Sequence, residues 1–416
     1  MDGRLALRLA AAPVLAGAVV AFVLDARARD AAGQAQGPFL LVTGLLLLGL
    51  VADVDGLFRW ASARLLGVTT APRRLLLVAL LLVAIVTALL NLDTAVVFLT
   101  PILIGAARGA RLDEEPFLYG SILMANASSL LLPGANLTNL LVLADEPVGG
   151  ATFAGRILPA ALAAAAVTAA GLVVVQGWRA ARSGVACGVE GVAAWPGSDP
   201  TTPVDGPPPA RRARGLTPHA TPDPGHRASP GVRGPRRLGA IACGIAAVLV
   251  LVLPHPGVPV LVVGLVAVAI RIREGRLGTA GAVAAVGPLV LATLFALSVL
   301  LGLLGRAWSA PTDLLAGASA WETTVVGAVS AVGLNNLPAA VLLSAAPPPH
   351  PRALLLGLNL GPNLAVTGSL SAYLWFRAAQ ASGIRPSIRR FSAIGVPLGI
   401  AAMAAGLLTI RLIGPS

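Results

Sequence analysis

The sequence predicts an all-α polytopic membrane protein with about ten membrane crossings and two re-entrant hairpins, arranged in two inverted repeats with broken helices. Three observations predict this fold. Hydrophobic residues make up 56% of the 416 residues, and the mean hydropathy is +0.84. Many apolar runs reach 15 residues or more. Short stretches that contain Asn, Pro and Gly interrupt some of these runs, where a membrane helix would otherwise continue.

The charge pattern favours the lipid bilayer over nucleic acid as a partner. The formal net charge is +12, and all 30 basic residues are arginine. The arginines lie between the apolar runs, as the positive-inside rule describes. The segments that we assign to the cytoplasm hold 24 of the 30 arginines. We therefore expect a multi-pass protein of the inner (plasma) membrane, with its N-terminus and central segment in the cytoplasm and with no nucleic-acid partner.

Two membrane helices precede the first interruption. The apolar runs predict them at about residues 5–24 and 38–54. Asp53 and Asp55 end the second helix, and we interpret them as acids at the membrane interface rather than as a proton site.

Two apolar arms, at residues 75–90 and 95–107, flank the polar stretch Asn91–Thr94. A straight helix of about 33 residues would be about 50 Å long, whereas the hydrocarbon core is about 30 Å thick. The segment is therefore either a re-entrant hairpin or two separate crossings. Arginines flank both ends, which favours the same, cytoplasmic, side for both ends. We predict a hairpin with its tip at Asn91–Thr94.

The chain divides into two transmembrane repeats joined by a polar segment. The first repeat covers residues 1–178, and the second covers residues 238–416. Residues 179–237 are rich in Pro, Gly and Arg and lack hydrophobic periodicity, which predicts a disordered cytoplasmic linker.

Each repeat contains a hairpin followed by a broken helix. In the first repeat, the helix is broken near residues 132–139. In the second repeat, the hairpin tip lies near residues 333–338 and the helix is broken near residues 359–363. The arginine distribution gives the two repeats opposite orientations, which is the pattern of inverted-repeat secondary transporters.

Polar side chains at the four interruptions form the candidate binding site. A helix interrupted inside a membrane exposes backbone groups, and Asn and Thr side chains both donate and accept hydrogen bonds. Such groups suit a neutral polyol-like solute, a carboxylate or a small cation, whereas hydrogen bonding between helices is their alternative role. The predicted solute- and ion-binding residues are Asn91, Asp93, Thr94, Asn136, Thr138, Asn139, Asn335, Asn336, Asn359 and Asn363.

Asp93 is the only acid at a predicted hairpin tip. Its carboxyl group could exchange a proton or Na⁺ during each cycle, or it could only cap the following half-helix. Glu322 lies in the outer arm of the second hairpin, and we interpret it as an interfacial residue.

The sequence carries no signature of an enzyme. It has no Gly-rich phosphate loop before a helix, no Ser/His/Asp set and no metal-binding motif. We therefore expect no catalytic or metal site, and no cofactor apart from a coupling proton or Na⁺.

Four motifs carry a family resemblance. They are Asn91 to Pro101 (NLDTAVVFLTP), Leu132 to Asn139 (LPGANLTN), Asn335 to Ala340 (NNLPAA) and Gly357 to Leu364 (GLNLGPNL). These motifs resemble those of ArsB-type arsenite efflux permeases of the ion-transporter superfamily, which also includes dicarboxylate, citrate and Na⁺/H⁺ carriers. One difference is Leu92, which separates Asn91 from Asp93 where the family commonly has Asn and Asp adjacent.

The resemblance implies a scaffold, a moving transport domain and a homodimer. It also implies export of arsenite or antimonite, driven by protons or by a separate ATPase subunit. Under it, Asn91, Asp93 and Thr94 form one tip, Asn335 and Asn336 form the other, and the breaks at 136–139 and 359–363 complete the cavity.

We therefore predict a secondary active transporter, and proton-coupled efflux of arsenite or antimonite is the first expectation. A dicarboxylate, citrate or Na⁺/H⁺ carrier of the same superfamily is the alternative. The lack of a basic residue at either tip argues against a multivalent anion, although helix dipoles could substitute for one. A membrane protein without transport activity is the second alternative, and two matched sets of polar breaks argue against it.

Overall fold

The computed structural model describes residues 3–69, 71–144, 150–189 and 237–413, and in these ranges it contains helices and no strand. By their contacts, the residues form two units, one of residues 1–177 and 235–416 and one of residues 178–234. Every contact described below lies within the first of these units.

The first half of the chain folds into helices of very different length. They are α1 (Gly3–Leu24), α2 (Ala26–Val54), α3 (Leu57–Val68), α4 (Pro72–Leu89), α5 (Leu92–Gly109), α6 (Glu115–Ser128), α7 (Leu137–Val142) and α8 (Gly150–Val189). A short 3-10 turn, Pro133–Ala135, lies between α6 and α7.

The second half contains ten further helices among its described residues. They are α9 (Arg237–Val252), α10 (Gly257–Arg273), α11 (Thr279–Val286), α12 (Pro288–Ala307), α13 (Ala310–Ala316), α14 (Ala320–Leu334), α15 (Asn336–Leu343), α16 (Pro351–Leu360), α17 (Leu370–Ala381) and α18 (Ile388–Ile413). Two 3-10 turns, Gly361–Asn363 and Val366–Gly368, lie between α16 and α17.

Six helical segments in the described part of the chain are long and apolar enough to cross a membrane. Shorter apolar helices accompany them at 9–24, 237–252 and 320–334. The chain is therefore an all-α polytopic membrane protein, as the composition predicts. The six segments are Ala26–Val54, Pro72–Leu89, Leu92–Gly109, Gly150–Arg179, Thr279–Ala307 and Ile388–Ile413.

Helices α4 and α5 form the first hairpin. They pack against each other and both pack against α6. Gly120 of α6 lies against Leu76 and Leu80 of α4, and Ser121, the next residue, bonds to Thr100 of α5 at 3.0 Å. The middles of both arms are therefore at the same level of α6, so the chain reverses at Asn91. The two arms are therefore antiparallel, and the re-entrant hairpin stays a prediction, because each arm is also long and apolar enough to cross a membrane by itself.

Helices α14 and α15 form the second hairpin. The first arm runs alongside α16, because Thr324 donates to the carbonyl of Ala353 at 3.0 Å. The second arm ends beside α13, the helix that precedes the first arm. The chain therefore reverses at Asn335, and the arms of 15 and 8 residues are shorter than the 18-residue arms of the first hairpin.

The two hairpins enter the fold from opposite ends. Pro72 lies at the open end of the first hairpin. Its carbonyl accepts from Gln176 at 3.4 Å, and Gln176 is near the end of the membrane-crossing part of α8. At the open end of the second hairpin, Arg352 donates to the carbonyl of Arg156 near the start of α8 at 3.3 Å. Twenty residues of helix, about 30 Å, separate these levels of α8. The repeats are therefore inverted.

The first pair of helices differs from the sequence prediction. Helix α2 begins at Ala26 rather than near residue 38, because Asp25 caps it by accepting from the Arg27 N–H at 2.8 Å. Pro38 lies inside this helix. Helix α3 was not predicted, because its two arginines interrupt the apolar pattern of the sequence. In the structure the Arg64 side chain lies over the Trp60 ring.

Two other boundaries also differ from the sequence prediction. Helix α8 continues to Val189, inside the segment predicted as a disordered linker, and residues 190–236 of that segment lie outside the described residues. The predicted crossing at 280–304 is divided at Gly287, where a left-handed φ of 59° ends α11 and Pro288 begins α12.

A buried ion pair joins α2 to the second repeat. Asp55 accepts from Arg271 at 2.6 Å and from the Gly239 backbone N–H at 2.7 Å. Asp55 and Arg271 are 7% and 3% exposed, so both charges are out of water. Asp55 lies at the end of α2, as predicted, but the prediction missed its burial, which a partner from a distant helix allows. Only the folded chain brings α2, α9 and α10 together here.

We expect Arg271→Ala to destabilise the protein by about 3–5 kcal/mol, because it leaves the Asp55 carboxylate buried without its ionic partner. Thermal unfolding of the purified protein measures this change. The matched control is Arg276→Ala, since Arg276 pairs with Glu274 at 3.6 Å and both side chains are more than a third exposed. Equal melting temperatures for the two variants would contradict the role of the buried pair.

The inverted arrangement predicts opposite labelling of two exposed glycines. Gly109 ends the first hairpin and Gly317 precedes the second, and a Cβ at either position would meet no atom within 4 Å. In a Cys187→Ser background, a membrane-impermeant maleimide should label Gly317→Cys in intact cells and Gly109→Cys only in inverted vesicles. Labelling of both from one side would contradict the inverted repeats, and the reverse pattern would overturn the predicted cytoplasmic N-terminus.

Candidate functional site

Both hairpin tips lie at the level of a broken helix. Helices α5 and α6 are antiparallel, and Thr100 of α5 lies level with Ser121 of α6. Asn91 lies nine residues before Thr100, so it is level with the position nine residues after Ser121, just beyond the end of α6. The first tip is therefore beside the first break. In the second repeat, Thr367 in the break donates to the carbonyl of Val332 at 3.0 Å. Each tip therefore lies beside a break.

Each half-helix that leaves a tip or break begins with a polar cap. Asn91 accepts from the Thr94 N–H at 2.7 Å, and Asn136 accepts from the Thr138 N–H at 3.1 Å. Asn335 caps α15 and Ser369 caps α17. These side chains replace the hydrogen bonds that a helix interrupted in an apolar medium would lack.

The second tip has an unusual backbone conformation. Asn335 adopts φ 82°, in the left-handed region that favours glycine. Asn tolerates this region better than most residues, because its short polar side chain bonds locally. Here the side chain accepts from the Leu337 N–H at 3.4 Å and donates to the Thr367 carbonyl at 3.3 Å. The sharp reversal of the second hairpin therefore favours an amide at this position.

Asn359 links the two broken helices through its side chain. Its carbonyl oxygen accepts from Ser129 at 2.6 Å and from Asn136 at 2.7 Å. Its amide nitrogen donates to Asn139 at 2.8 Å and to the Leu355 carbonyl at 2.8 Å. All the donors and acceptors of this amide are satisfied, so α16 is fixed against the break that precedes α7.

A second amide pair lies beside the first. Asn126 donates to Asn363 at 2.8 Å, and Asn363 donates to the Leu123 carbonyl at 3.2 Å. A Cβ at Gly395 of α18 would lie 1.9 Å from the Asn363 carbonyl oxygen, so only glycine lets α18 pack this closely against the break. The two breaks thus cross through amide contacts and close helix packing.

Asp93 is bonded to the opposite repeat. Ser371, in the first turn of α17, donates to its Oδ1 atom at 2.5 Å. Asp93 is partly buried, and Ser371 is buried. The acid of the first hairpin therefore contacts the second broken helix directly, across 278 residues of sequence.

Several buried polar atoms near the first tip have no partner among the described residues. They are the Asn91 Nδ2, Thr94 Oγ1 and Asn126 Oδ1 atoms. Buried polar atoms without a partner are uncommon, and they mark places where water or a ligand can bind. Among the described residues, no group of three His, Cys, Asp or Glu side chains could hold a metal ion.

The structure groups the predicted site residues unequally. Asn136, Asn139 and Asn359 share one network, and Asn363 extends the pairing through Asn126. Asp93 and Thr94 lie in the first turn of α5 rather than in the break. The other predicted residues are Asn91 and Asn335 as caps, Thr138 as a buried residue of α7, and Asn336 as a buried first residue of α15.

Residue selection from the sequence missed Asn126, Ser129, Ser369 and Ser371. A comparison of the repeats could have found them. Asn136 follows Asn126 by ten residues, and Ser369 follows Asn359 by ten residues. Asn136 and Ser369 both cap the second half-helix of a break. Thr138 and Ser371 each follow their cap by two residues, so they occupy equivalent positions in the two repeats. A serine or threonine alone is a weak signal of a binding site, because hydroxyl side chains also occur in packed membrane helices.

The inverted hairpins, the crossed breaks and the polar residues at their centre define a membrane transporter. The chain belongs to the citrate transporter family (CitMHS), whose model matches residues 4–415. It is similar to the crystal structure of the Alcanivorax borkumensis YdaH transporter, with a TM-score of 0.52 and 14% identity over 94% of this chain and 91% of that chain. At this identity the likeness shows the fold alone. No curated protein matches the chain. The chain is therefore a secondary transporter of the ion-transporter superfamily.

We expect Asn359→Ala to destabilise the protein severely. It would leave the Nδ2 atom of Asn136 and the Oδ1 atom of Asn139 without their partner in a buried site, and each unsatisfied group costs about 1–3 kcal/mol. Thermal unfolding and recovery of folded protein measure the effect. Gln176→Ala, which removes a buried amide with one bond of 3.4 Å, is the matched control and should cost less. A similar loss in both variants would show that Asn359 does not depend on its network.

Proposed function

We propose that this secondary transporter is coupled to protons through Asp93. The observation that supports the proposal is the hydrogen bond between Asp93 on one hairpin tip and Ser371 on the broken helix of the other repeat. An ionised carboxylate inside a membrane costs about 2.5–3.5 kcal/mol on insertion scales. Protonation removes this charge, so the site with a protonated Asp93 and the site with an ionised Asp93 differ in the free energy that burial in the membrane costs.

The two hairpins provide a gate on each side of the site. Each enters from one end of the fold and ends at the level of the breaks. We infer that solute and proton bind around the tips and amides, and that the site opens to the two sides of the membrane in turn, as in other inverted-repeat carriers. The residues that we assign to this site are Asn91, Asp93, Thr94, Asn136, Thr138, Asn139, Asn335, Asn336, Asn359 and Asn363.

We propose arsenite or antimonite as the exported solute. Arsenite is an uncharged trihydroxy acid at neutral pH, and amide and hydroxyl side chains can donate to and accept from its oxygens. The groups that bond around the tips and breaks are amides, hydroxyls and one carboxylate. The sequence motifs at the tips and breaks, which resemble those of arsenite permeases, support the same solute.

A carboxylate is the second candidate, because the description of the family is citrate transporter. Helices α5, α15 and α17 begin at the tips and the second break, and the N-terminus of a helix favours an anion. Exchange of Na⁺ for protons is the remaining alternative within the superfamily. A homodimer and a separate ATPase subunit remain proposals that follow from the resemblance alone.

We expect everted membrane vesicles that contain the wild-type protein to accumulate arsenite when a pH gradient is imposed. Asp93→Asn should reduce this uptake to the level of vesicles without the protein, because the amide has nearly the same shape but cannot take up a proton. Accumulated arsenic, measured in filtered vesicles, reports the uptake. Asp313→Asn is the matched control, since Asp313 is an exposed acid on α13 that bonds to Ser309.

Two other results would change the proposal. Normal proton-driven uptake by Asp93→Asn would show that Asp93 is only a helix cap. Wild-type vesicles that move citrate or exchange Na⁺ for protons, but do not take up arsenite, would support the second candidate or the remaining alternative.

A further inference from the structure

We propose that Ser371 is a positioning residue that transmits the protonation state of Asp93 to the tip of the second hairpin. The inference rests on the proposed function, because it takes Asp93 as the coupling group. It concerns one short segment, Thr367–Ser371, which contacts both hairpin tips.

The segment Thr367–Ser371 has a different partner at each end. At one end, the Thr367 hydroxyl donates to the Val332 carbonyl at 3.0 Å, and the Thr367 carbonyl accepts from Asn335 at 3.3 Å. At the other end, the Ser371 hydroxyl donates to Asp93 at 2.5 Å. Five residues therefore join the first hairpin tip to the second.

The segment is short and leads directly into α17. Ser369 caps α17 within it by accepting from the Ala372 N–H at 3.2 Å, and Gly368 is packed against Pro362. Helix α17 also packs along α5. Only four peptide bonds separate Thr367 from Ser371, so a change in the contact at Ser371 is carried to Thr367 rather than absorbed by a long loop.

The strength of the contact depends on the charge of Asp93. A hydrogen bond from a hydroxyl to an ionised carboxylate is roughly twice as strong as one between neutral groups. When Asp93 binds a proton, the carboxyl group gains its own donor and loses its charge, so the bond from Ser371 weakens. Protonation thus loosens the first tip from the segment that holds the second tip.

The second hairpin tip and the first broken helix lack an equivalent pair. Thr138 stands at the position of Ser371, two residues after the cap of the half-helix. Leu337 follows Asn335 by two residues, as Asp93 follows Asn91. The hydroxyl is thus present in both repeats and the acid in only one, so a charge-dependent contact of this kind forms only at Ser371.

Other charged groups on the neighbouring helices are engaged elsewhere or lie far along them. Asp53 on α2 lies near Arg59 of α3, and Arg64 of α3 lies over Trp60. Glu115 on α6 pairs with Arg390, and Arg377 on α17 bonds to Tyr373.

The remaining charged groups on these helices are paired or distant. Asp55 of α2 pairs with Arg271. Arg73 and Arg74 begin α4, about 25 Å along the helix from the tip, and Arg108 of α5 pairs with Glu114.

An infrared titration of the purified full-length protein tests the contact without a solute. The carboxyl signal that disappears in Asp93→Asn belongs to Asp93. We expect Ser371→Ala to move the midpoint of this signal to higher pH by about one unit, because the carboxylate loses a hydrogen-bond donor and the carboxyl group keeps its proton longer. Ser371→Thr retains a hydroxyl and should restore the wild-type midpoint.

A fluorophore on the second tip tests the transmission. A Cβ at Gly333 would meet no atom within 4 Å, so a labelled Gly333→Cys in a Cys187→Ser background should fold. We expect its fluorescence to change with pH at the midpoint of the Asp93 signal. The change should be lost in Asp93→Asn and strongly reduced in Ser371→Ala.

The matched control is Ser121→Ala, because Ser121 is also a buried serine whose hydroxyl bonds to α5, through Thr100 at 3.0 Å. It should move neither readout. A wild-type midpoint in Ser371→Ala, or equal shifts in both variants, would overturn the role of Ser371. If Asp93→Asn removes no titrating signal, the proposed function itself fails; if it does and Ser371→Ala has no effect, only this inference fails.

Discussion

The fold depends on the satisfaction of polar groups where two membrane helices are interrupted. Each break leaves backbone N–H and C=O groups in a medium without water, where an unsatisfied group costs several kcal/mol. The amides of Asn126, Asn139, Asn359 and Asn363 meet this requirement by bonding across the two repeats and to nearby carbonyls. The amide side chains of each break are paired with amides of the other repeat, so these pairs form only when the two halves of the chain fold against each other.

The hairpins follow from the same constraint. A tip that ends at the depth of the breaks also exposes the start of a helix, and Asn91 and Asn335 cap these starts. The tips can then lie beside the breaks without losing hydrogen bonds. The long helix α2 packs closely on α10, where Gly44 and Gly264 allow backbone contact. The buried pair Asp55–Arg271 secures this second region, so polar bonds and close helix packing hold different parts of the protein.

The sequence was most informative where a helix had to stop. Asn91, Asn335 and the Gly361–Pro362 pair interrupt apolar runs, and these interruptions located both hairpins and both breaks. It was less informative about contacts between distant segments, since nothing near Asp55 or Asp93 in the chain indicates Arg271 or Ser371 as a partner. The amphipathic helix α3 was missed because two arginines in twelve residues look like a polar loop when only apolar runs are counted. The solute cannot be read from the fold, because the same amides suit an uncharged acid or a carboxylate.

The two repeats are alike in backbone and unequal in charge, and this inequality has a physical consequence. A carrier with an acid on both hairpin tips would have to neutralise two carboxylates before its site could cross the membrane. Here Leu337 occupies the second tip where Asp93 occupies the first. A single proton on Asp93 therefore removes the formal charge contributed by the two tips. The remaining polar groups at the centre are amides and hydroxyls that bond in either protonation state. Under the proposed coupling through Asp93, one titratable group is enough to make the state of the whole site depend on pH, and the neutral network around Asn359 holds the breaks together in either protonation state.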